Sequence, residues 1–333
     1  MTAEHPFAPF VRILGKGPHS ARALTFEEAK TAAAMIMDGS VEREQLGALL
    51  CLMRVQSETP GELAGFVGAV RDSIAKNSQP FPKVDLDWSS YAGKSRQPSW
   101  FLLAALLLAQ NGIRVFMQVA EDHTEGRLFS TEALESLGLK PATSLADVGA
   151  QLDKHCFSFM PIAHLSPRLD EIMSLKPLLG LRTPVHTVGR MLNPLRASAS
   201  MVGVHHPAYR PTHQEAAALL GDQRMAVFKG DGGEAERRPE KVCTVNLILN
   251  GQMSVEDWPA LLPETAKPKI TGLDPAPLKA LWTAALQDEF AEASVTGTAA
   301  IALRMMGRAA TPNEAQKMAD NLWAKRDKGK IGA

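Results

Sequence analysis

The sequence predicts an α/β protein: a small N-terminal helical domain, residues 1–76, and a large α/β domain, residues 77–333, with a mainly parallel sheet. Two observations predict it. Up to Lys76 the apolar residues recur only at helical spacing. Beyond a Pro-rich connection at Pro80 and Pro82, short β-prone runs alternate with helical patterns, the signature of a sheet covered by helices.

The elements follow in order. Thr25-Phe-Glu-Glu28 reads as a capping box, a hydroxyl at the cap and a carboxylate three residues on. The helix it opens turns Ala29, Ala32, Ala33 and Ile36 to one face and stops at Asp38-Gly39. Leu46, Leu49, Leu50 and Met53 mark a second helix, and their stripe reads either as a surface for a dimer formed through this domain or as packing inside it. Thr59-Pro60-Gly61-Glu62 opens a third, with proline at the first helical position and Leu63, Phe66, Val67 and Val70 inward. In the large domain the β-prone runs are Ile113–Val119, Cys156–Met160, Ser200–Val204, Met225–Phe228 and Val242–Ile248. Thr212-His-Gln-Glu215 reads as another capping box. From about Pro275 the chain is helical again, with Ala299, Ile301, Ala302, Met305 and Met306 inward, and Lys325–Lys330 reads as a frayed, solvated basic end.

The chain has 45% hydrophobic and 22% charged residues, an ordinary globular balance. Its formal net charge is zero, so polyanion binding requires a local basic patch. Cys51, Cys156 and Cys243 lack metal-type spacing and read as free thiols of a reducing compartment, with Cys51 and Cys156 buried. Met1–Phe10 shows no basic-then-apolar leader, and the Trp100–Ala109 run is shorter than the roughly 20 residues a bilayer needs. A cytoplasmic protein without membrane partners is expected.

Glu28–Ile74, with Gly39, Leu49–Arg54, Glu58, Glu62 and Gly65-Phe66, resembles the N-terminal domain of anthranilate phosphoribosyltransferases. The resemblance continues through Leu134-Glu-Ser-Leu-Gly138, Phe159-Met-Pro161, His164, Leu179-Gly-Leu-Arg-Thr183, Leu192-Asn-Pro194 and Ala299–Leu303 with Gly307. It implies the nucleoside phosphorylase and phosphoribosyltransferase type of fold, a later helical insertion around 165–195 beside the small domain, and a homodimer.

That family cradles phosphoribosyl pyrophosphate in a Gly-Thr-Gly-Gly-Asp loop, where glycine lets backbone N–H groups approach phosphate. The matching stretch here is Tyr91-Ala-Gly93-Lys94-Ser95-Arg96-Gln97, a degenerate loop keeping only Gly93, with Ser95 beyond it. The family's Lys-His-Gly-Asn motif falls on Gln118-Val-Ala-Glu121. Its magnesium-binding Asp-Glu pair falls on Ala235-Glu236, with Asp231 and Glu234 nearby. Its acceptor-binding arginine falls on Lys176, which keeps charge but loses bidentate recognition of a carboxylate. With these sites degraded, no catalytic residues and no cofactor are expected; magnesium with phosphoribosyl pyrophosphate belongs to the alternative, a transferase with an altered acceptor.

A non-catalytic branch of the family binds DNA and RNA with little sequence preference. The chain resembles that branch at Leu14-Gly-Lys16-Gly17 through Arg22, at the altered loop, and at His206-Pro-Ala-Tyr209. Lys16, Arg22, Lys94 and Arg96 are therefore the expected nucleic-acid contacts. Lys16 and Arg22 read equally well as solvated charges, and His206-Pro207 more readily as a rigid turn than a binding site. His164 reads as ordering a strand end, Arg182 as an internal ion-pair partner, and Gly230–Gly233 as a mobile loop. Trp88, Tyr91 and Trp100 bracket the basic loop, where base stacking is one reading and core packing another.

Overall fold

A computed structural model describes residues 4–17, 19–77, 80–120 and 126–331. Four helices come first: α1 (Ala8–Gly15), α2 (Phe26–Met37), α3 (Arg43–Gln56) and α4 (Pro60–Asn77). The sequence predicted α2 to α4 and missed α1. The capping box of α2 forms as expected: Glu28 N–H donates to Thr25 Oγ1 at 3.2 Å and Thr25 N–H to Glu28 Oε2 at 2.9 Å. Such a cap is worth about 1 kcal/mol. At α4, Glu62 accepts from Thr59 N–H and, across the bundle, from Leu24 N–H, both at 2.9 Å.

Leu46, Leu49, Leu50 and Met53 are buried in this bundle. The stripe taken as a dimer surface is spent on internal packing and cannot face a second copy.

The large domain begins with β1 (Leu86–Ser90), α5 (Trp100–Gln110), β2 (Val115–Val119), α6 (Ser130–Ser136), α7 (Leu145–His155) and β3 (Phe157–Pro161). Four short helices follow: α8 (Ile162–Leu165), α9 (Pro167–Met173), α10 (Lys176–Leu179) and α11 (Val185–Arg190). Next come β4 (Ala199–Val204), α12 (Tyr209–Leu219), β5 (Arg224–Lys229), a 3-10 turn (Asp231–Gly233), β6 (Cys243–Leu249) and β7 (Gln252–Trp258). Helices α13 (Ala276–Trp282), α14 (Glu289–Met305) and α15 (Pro312–Lys325) end the domain.

The seven strands lie in the order β3-β2-β1-β4-β5-β6-β7. The first five in that order pair in parallel, and β6 and β7 complete the sheet antiparallel. All five predicted strands are present. The unpredicted β1 and β7 lack the apolar signature: β1 is Leu-Asp-Trp-Ser-Ser, buried throughout, while β7 is mostly exposed.

Two apolar clusters cover the sheet. One contains α5, buried from Trp100 to Ala109, packed with α14 and α15. The other joins the N-terminal bundle to Leu165, Leu169, Ile172, Val185 and Val188 of α8, α9 and α11. Arg71 clamps this second layer. Its buried guanidinium donates to the carbonyls of Met191 (3.1 Å) and Leu192 (2.5 Å) and forks onto Asp222 at 3.0 and 3.1 Å. In the Leu192-Asn-Pro194 run, Asn193 sits at φ +36° and its amide exchanges two hydrogen bonds with the Ala197 backbone, which fixes that turn.

Four local expectations need correction. Thr212 lies inside α12, whose cap position is Ala208, so Thr212-His-Gln-Glu215 is no capping box. Cys51 and Cys156 are only half-buried, and Cys243 is the buried one; all three are free thiols. The basic end is docked: Arg326 donates to the carbonyls of Leu281, Trp282 and Trp323 and lies 3.5 Å over the Trp323 ring. Trp88 and Tyr91 are buried and offer no ring to a base, while Trp100 packs into the core as the sequence favoured. Among the described residues, no helix is long and apolar enough to cross a membrane.

Candidate functional site

In a parallel sheet the loops beyond the strands' carboxyl ends gather the chemistry. After β1 the chain turns through Tyr91–Ser99 into α5, with Gly93 in the left-handed region at φ +64°. Lys94 pairs its backbone with Leu128, at 2.9 and 2.8 Å. After β5 the chain doubles back through Gly230–Glu236. A Cβ on Gly230 would lie 1.5 Å from the Glu234 carbonyl oxygen, so only glycine permits this fold-back. The expected mobile loop is instead packed against the β1 loop.

That packing turns the backbone N–H groups of the β1 loop and of α5 onto the protein's own carboxylates. Glu234 Oε1 accepts from the backbone N–H groups of Ala92 at 2.6 Å and Gly93 at 2.7 Å. Burial raises the pKa of Glu234, while these two amide bonds pull it down. Glu236 Oε2 accepts from Phe101 N–H at 2.9 Å, in the first turn of α5, where the helix dipole favours an anion.

Lys94 fills the cationic position. Its buried ammonium donates to Asp231 Oδ2 and, at 2.5 Å, to Glu236 Oε1; Gln97 Nε2 reaches the same two oxygens at 3.1 and 3.2 Å. Burial disfavours the ammonium, but Glu236 and Asp231 outweigh it and raise the Lys94 pKa. Burial pushes Glu236 up to about 7, against the pull of Lys94. Asp231 is also penalised by burial, yet Lys94 holds its pKa below the ordinary value.

These residues do not fit magnesium. The oxygens a divalent ion would need are already held by a fixed positive charge, and among the described residues no group of three or more His, Cys, Asp or Glu could hold a metal ion.

Beside this filled loop a cleft of about 220 Å³ opens between the bundle and the sheet. Arg54 and Glu58 line it from the end of α3, Arg182, His186 and Arg190 from α11 and the segment before it, and His205, His206, Tyr209 and His213 from β4's end and α12. Arg127 joins cleft to loop, donating to the carbonyls of Ala92 (2.6 Å) and Gly93 (3.1 Å). Four arginines thus face one carboxylate, Glu58, which accepts from Thr187 Oγ1 at 2.7 Å. Burial lowers the Arg190 pKa, offset by the charge of Glu234, and its Nε is buried without a hydrogen-bond partner. His205 and His206 are exposed rings 4.6 Å apart, at the cleft's rim. The turn expected at His206-Pro207 is present, closed by Tyr209 N–H on the His206 carbonyl at 3.1 Å, and it borders this cleft.

The expected nucleic-acid residues fare differently. Lys94 is a correction: fully buried between two carboxylates, it cannot touch a phosphate. Lys16, Arg22 and Arg96 are exposed. Arg22 forks onto Glu28 at 2.7 Å twice, and Lys16 follows α1, whose Leu14 carbonyl accepts from Gln56 at the end of α3. Of the degenerate loop, the Gly93 amide is taken by Glu234 and Ser95 is exposed. Lys176, half-buried on α10, does not line the cleft, whereas Arg182 does. His164 is exposed on α8. Gln118 bonds Tyr91 Oη at 3.0 Å and Asp87 at 3.4 Å; Glu121 lies outside the described residues. Sequence reasoning gave Arg54, Arg127, Arg190, Glu58 and His213 no site role, for they are isolated in sequence and meet only through the fold.

The fold thus has two parts, a helical bundle and a mainly parallel sheet covered by helices. The chain belongs to the glycosyl transferase family with these two parts: residues 9–74 match its helical bundle domain and residues 102–325 its a/b domain. It is similar to the uncharacterized protein YbiB of Escherichia coli (strain K12), 27% identical over 275 residues, covering 80% of this chain and 85% of YbiB. It is also similar to anthranilate phosphoribosyltransferase of Pectobacterium carotovorum, 28% identical over 243 residues. That match covers 71% of this chain and 66% of the enzyme, so the chain spans just under two thirds of its length. The crystal structure of anthranilate phosphoribosyltransferase from Thermus thermophilus shares the fold, with a TM-score of 0.79 at 21% identity, covering 96% of this chain and 95% of that one.

Proposed function

We propose that the protein is a non-catalytic member of this family that binds DNA or RNA through backbone phosphates, with little sequence preference, as a homodimer. The observation that carries the reading is the filled loop. Glu234 sits on the amides that in the family cradle phosphate, Lys94 takes the oxygens of the metal position, and Glu236 caps α5. A phosphoribosyl pyrophosphate molecule would have to displace two buried carboxylates, and its magnesium a buried ammonium, each at a cost of several kcal/mol. Anion binding is left to the arginine-lined cleft and the exposed Lys16, Arg22 and Arg96. Arginine forks suit phosphate, and the rim rings suit stacked bases. The alternative is a transferase using phosphoribosyl pyrophosphate with an altered acceptor, which membership of a glycosyl transferase family supports at the level of the family alone.

Fluorescence anisotropy with a random-sequence single strand across a salt series tests the reading. Replacing Arg54, Arg127, Lys16, Arg22 or Arg96 by alanine is expected to weaken all sequences alike, each lost contact shallowing the logarithmic salt slope by roughly 0.7 to 0.9. Absence of salt-dependent binding by the wild type overturns it.

A further inference from the structure

The arginine-lined cleft also contains bare acceptors, and that combination narrows what it can hold. His213 is 1% exposed, and its Nδ1 lies 2.7 Å from the Tyr209 carbonyl oxygen. A carbonyl only accepts, so Nδ1 carries the proton and Nε2 is left as an acceptor. That Nε2 is buried without a partner, and burial holds the ring neutral, its pKa pushed down to about 4. Glu58 repeats the pattern: Oε1 is taken by Thr187, while Oε2 is buried without a partner. Against these stand Arg54, Arg127 and the unpartnered Nε of Arg190.

A bare anion would satisfy the arginines, leave both acceptors bare and meet the charge of Glu58. A fully apolar guest would leave both acceptors and the Arg190 Nε bare. A ligand carrying anionic oxygens and O–H donors together satisfies the set.

The geometry points to one ribonucleotide unit as the occupant, its phosphate on the arginines and its ribose 2′-hydroxyl donating to His213 Nε2 or Glu58 Oε2. A cleft of about 220 Å³ that opens to solvent takes the ribose and phosphate of one such unit, leaves its base at the rim, and admits no duplex. The inference rests on the nucleic-acid reading and deepens it: the 2′-hydroxyl is the group that separates RNA from DNA, so the protein prefers single-stranded RNA.

The test compares matched RNA and DNA single strands by anisotropy, and adenosine with deoxyadenosine 5′-monophosphate by calorimetry. RNA is expected to bind about three- to tenfold more tightly, the worth of one such hydrogen bond. His213→Phe and Glu58→Gln should bring the ratio toward one, with an unchanged circular dichroism spectrum and melting temperature showing that the variants are folded. Equal RNA and DNA affinity in the wild type, or an unchanged ratio in both variants, overturns the inference. If strands bind equally and the two monophosphates bind equally, the cleft assignment falls and the nucleic-acid reading stands. If neither strand binds while the ribonucleotide outcompetes its deoxy form, the nucleic-acid reading falls and the cleft assignment stands. Absence of binding in every arm overturns both.

Discussion

Replacing Lys94 with methionine probes the filled loop at its centre. The ammonium and Glu236 are both fully buried, and Asp231 is about three-quarters so. Removing one partner of a buried pair leaves an uncompensated charge and costs about 3–5 kcal/mol. Here protonation of Glu236 relieves part of that cost. Its folded pKa is already up to about 7 with Lys94 present, and removing the cation raises it further. A carboxyl with a raised folded pKa contributes most at low pH and loses that contribution as pH rises through the folded value. The deficit of Lys94→Met should therefore grow between about pH 6 and pH 9, by at most about 1.4 kcal/mol per unit. Urea unfolding, read by tryptophan fluorescence at both ends of that range, measures it. Adding Glu236→Gln should recover about half the loss and flatten the pH dependence. A loss below about 1 kcal/mol near pH 8, or one independent of pH, refutes the argument that Lys94 acts as a resident cation.

Two further perturbations reach other parts of the molecule. Burial pushes Asp87 up to about 7, against the pull of Arg71, and its Oδ1 has no partner. Its contribution is complete below its unfolded value near 4 and lost as pH rises through about 7, so Asp87→Asn should remove a slope of up to about 1.4 kcal/mol per pH unit from stability curves between those limits. An unchanged slope contradicts this. For the dimer, Val55 (82% exposed) and Leu178 (81%) replace the buried stripe as candidate interface residues. Light scattering should give a dimer at micromolar concentration, and a monomer for Val55→Glu with Leu178→Glu; a monomeric wild type ends the proposal.

The sequence carried the fold well where one physical rule dominates. Periodicity located three helices of the bundle, and apolar β-branched runs located the five strands buried in the usual way. It failed at β1, where Asp87, Ser89 and Ser90 are buried in a central strand, and at β7, whose exposed edge carries Gln252, Ser254 and Asp257. The site was legible only as loss. Gly93 without a second glycine, and Glu236 without its aspartate, marked the phosphate and metal motifs as altered. That Lys94 and Glu234 take those positions depends on two loops more than 130 residues apart meeting at hydrogen-bond distance. The same lysine was read as a nucleic-acid contact because a basic residue beside glycine in a loop has no visible partner until the chain is folded.

The account turns on whether the loop that holds phosphoribosyl pyrophosphate in related enzymes is closed here by Glu234 and Lys94. Pyrophosphate release, measured with anthranilate, phosphoribosyl pyrophosphate and magnesium, asks this directly. No turnover above the protein-free control is predicted, however much substrate is added. Release at the ordinary enzymatic rate of about 1–1000 per second would contradict the account and establish a phosphoribosyltransferase that still uses anthranilate.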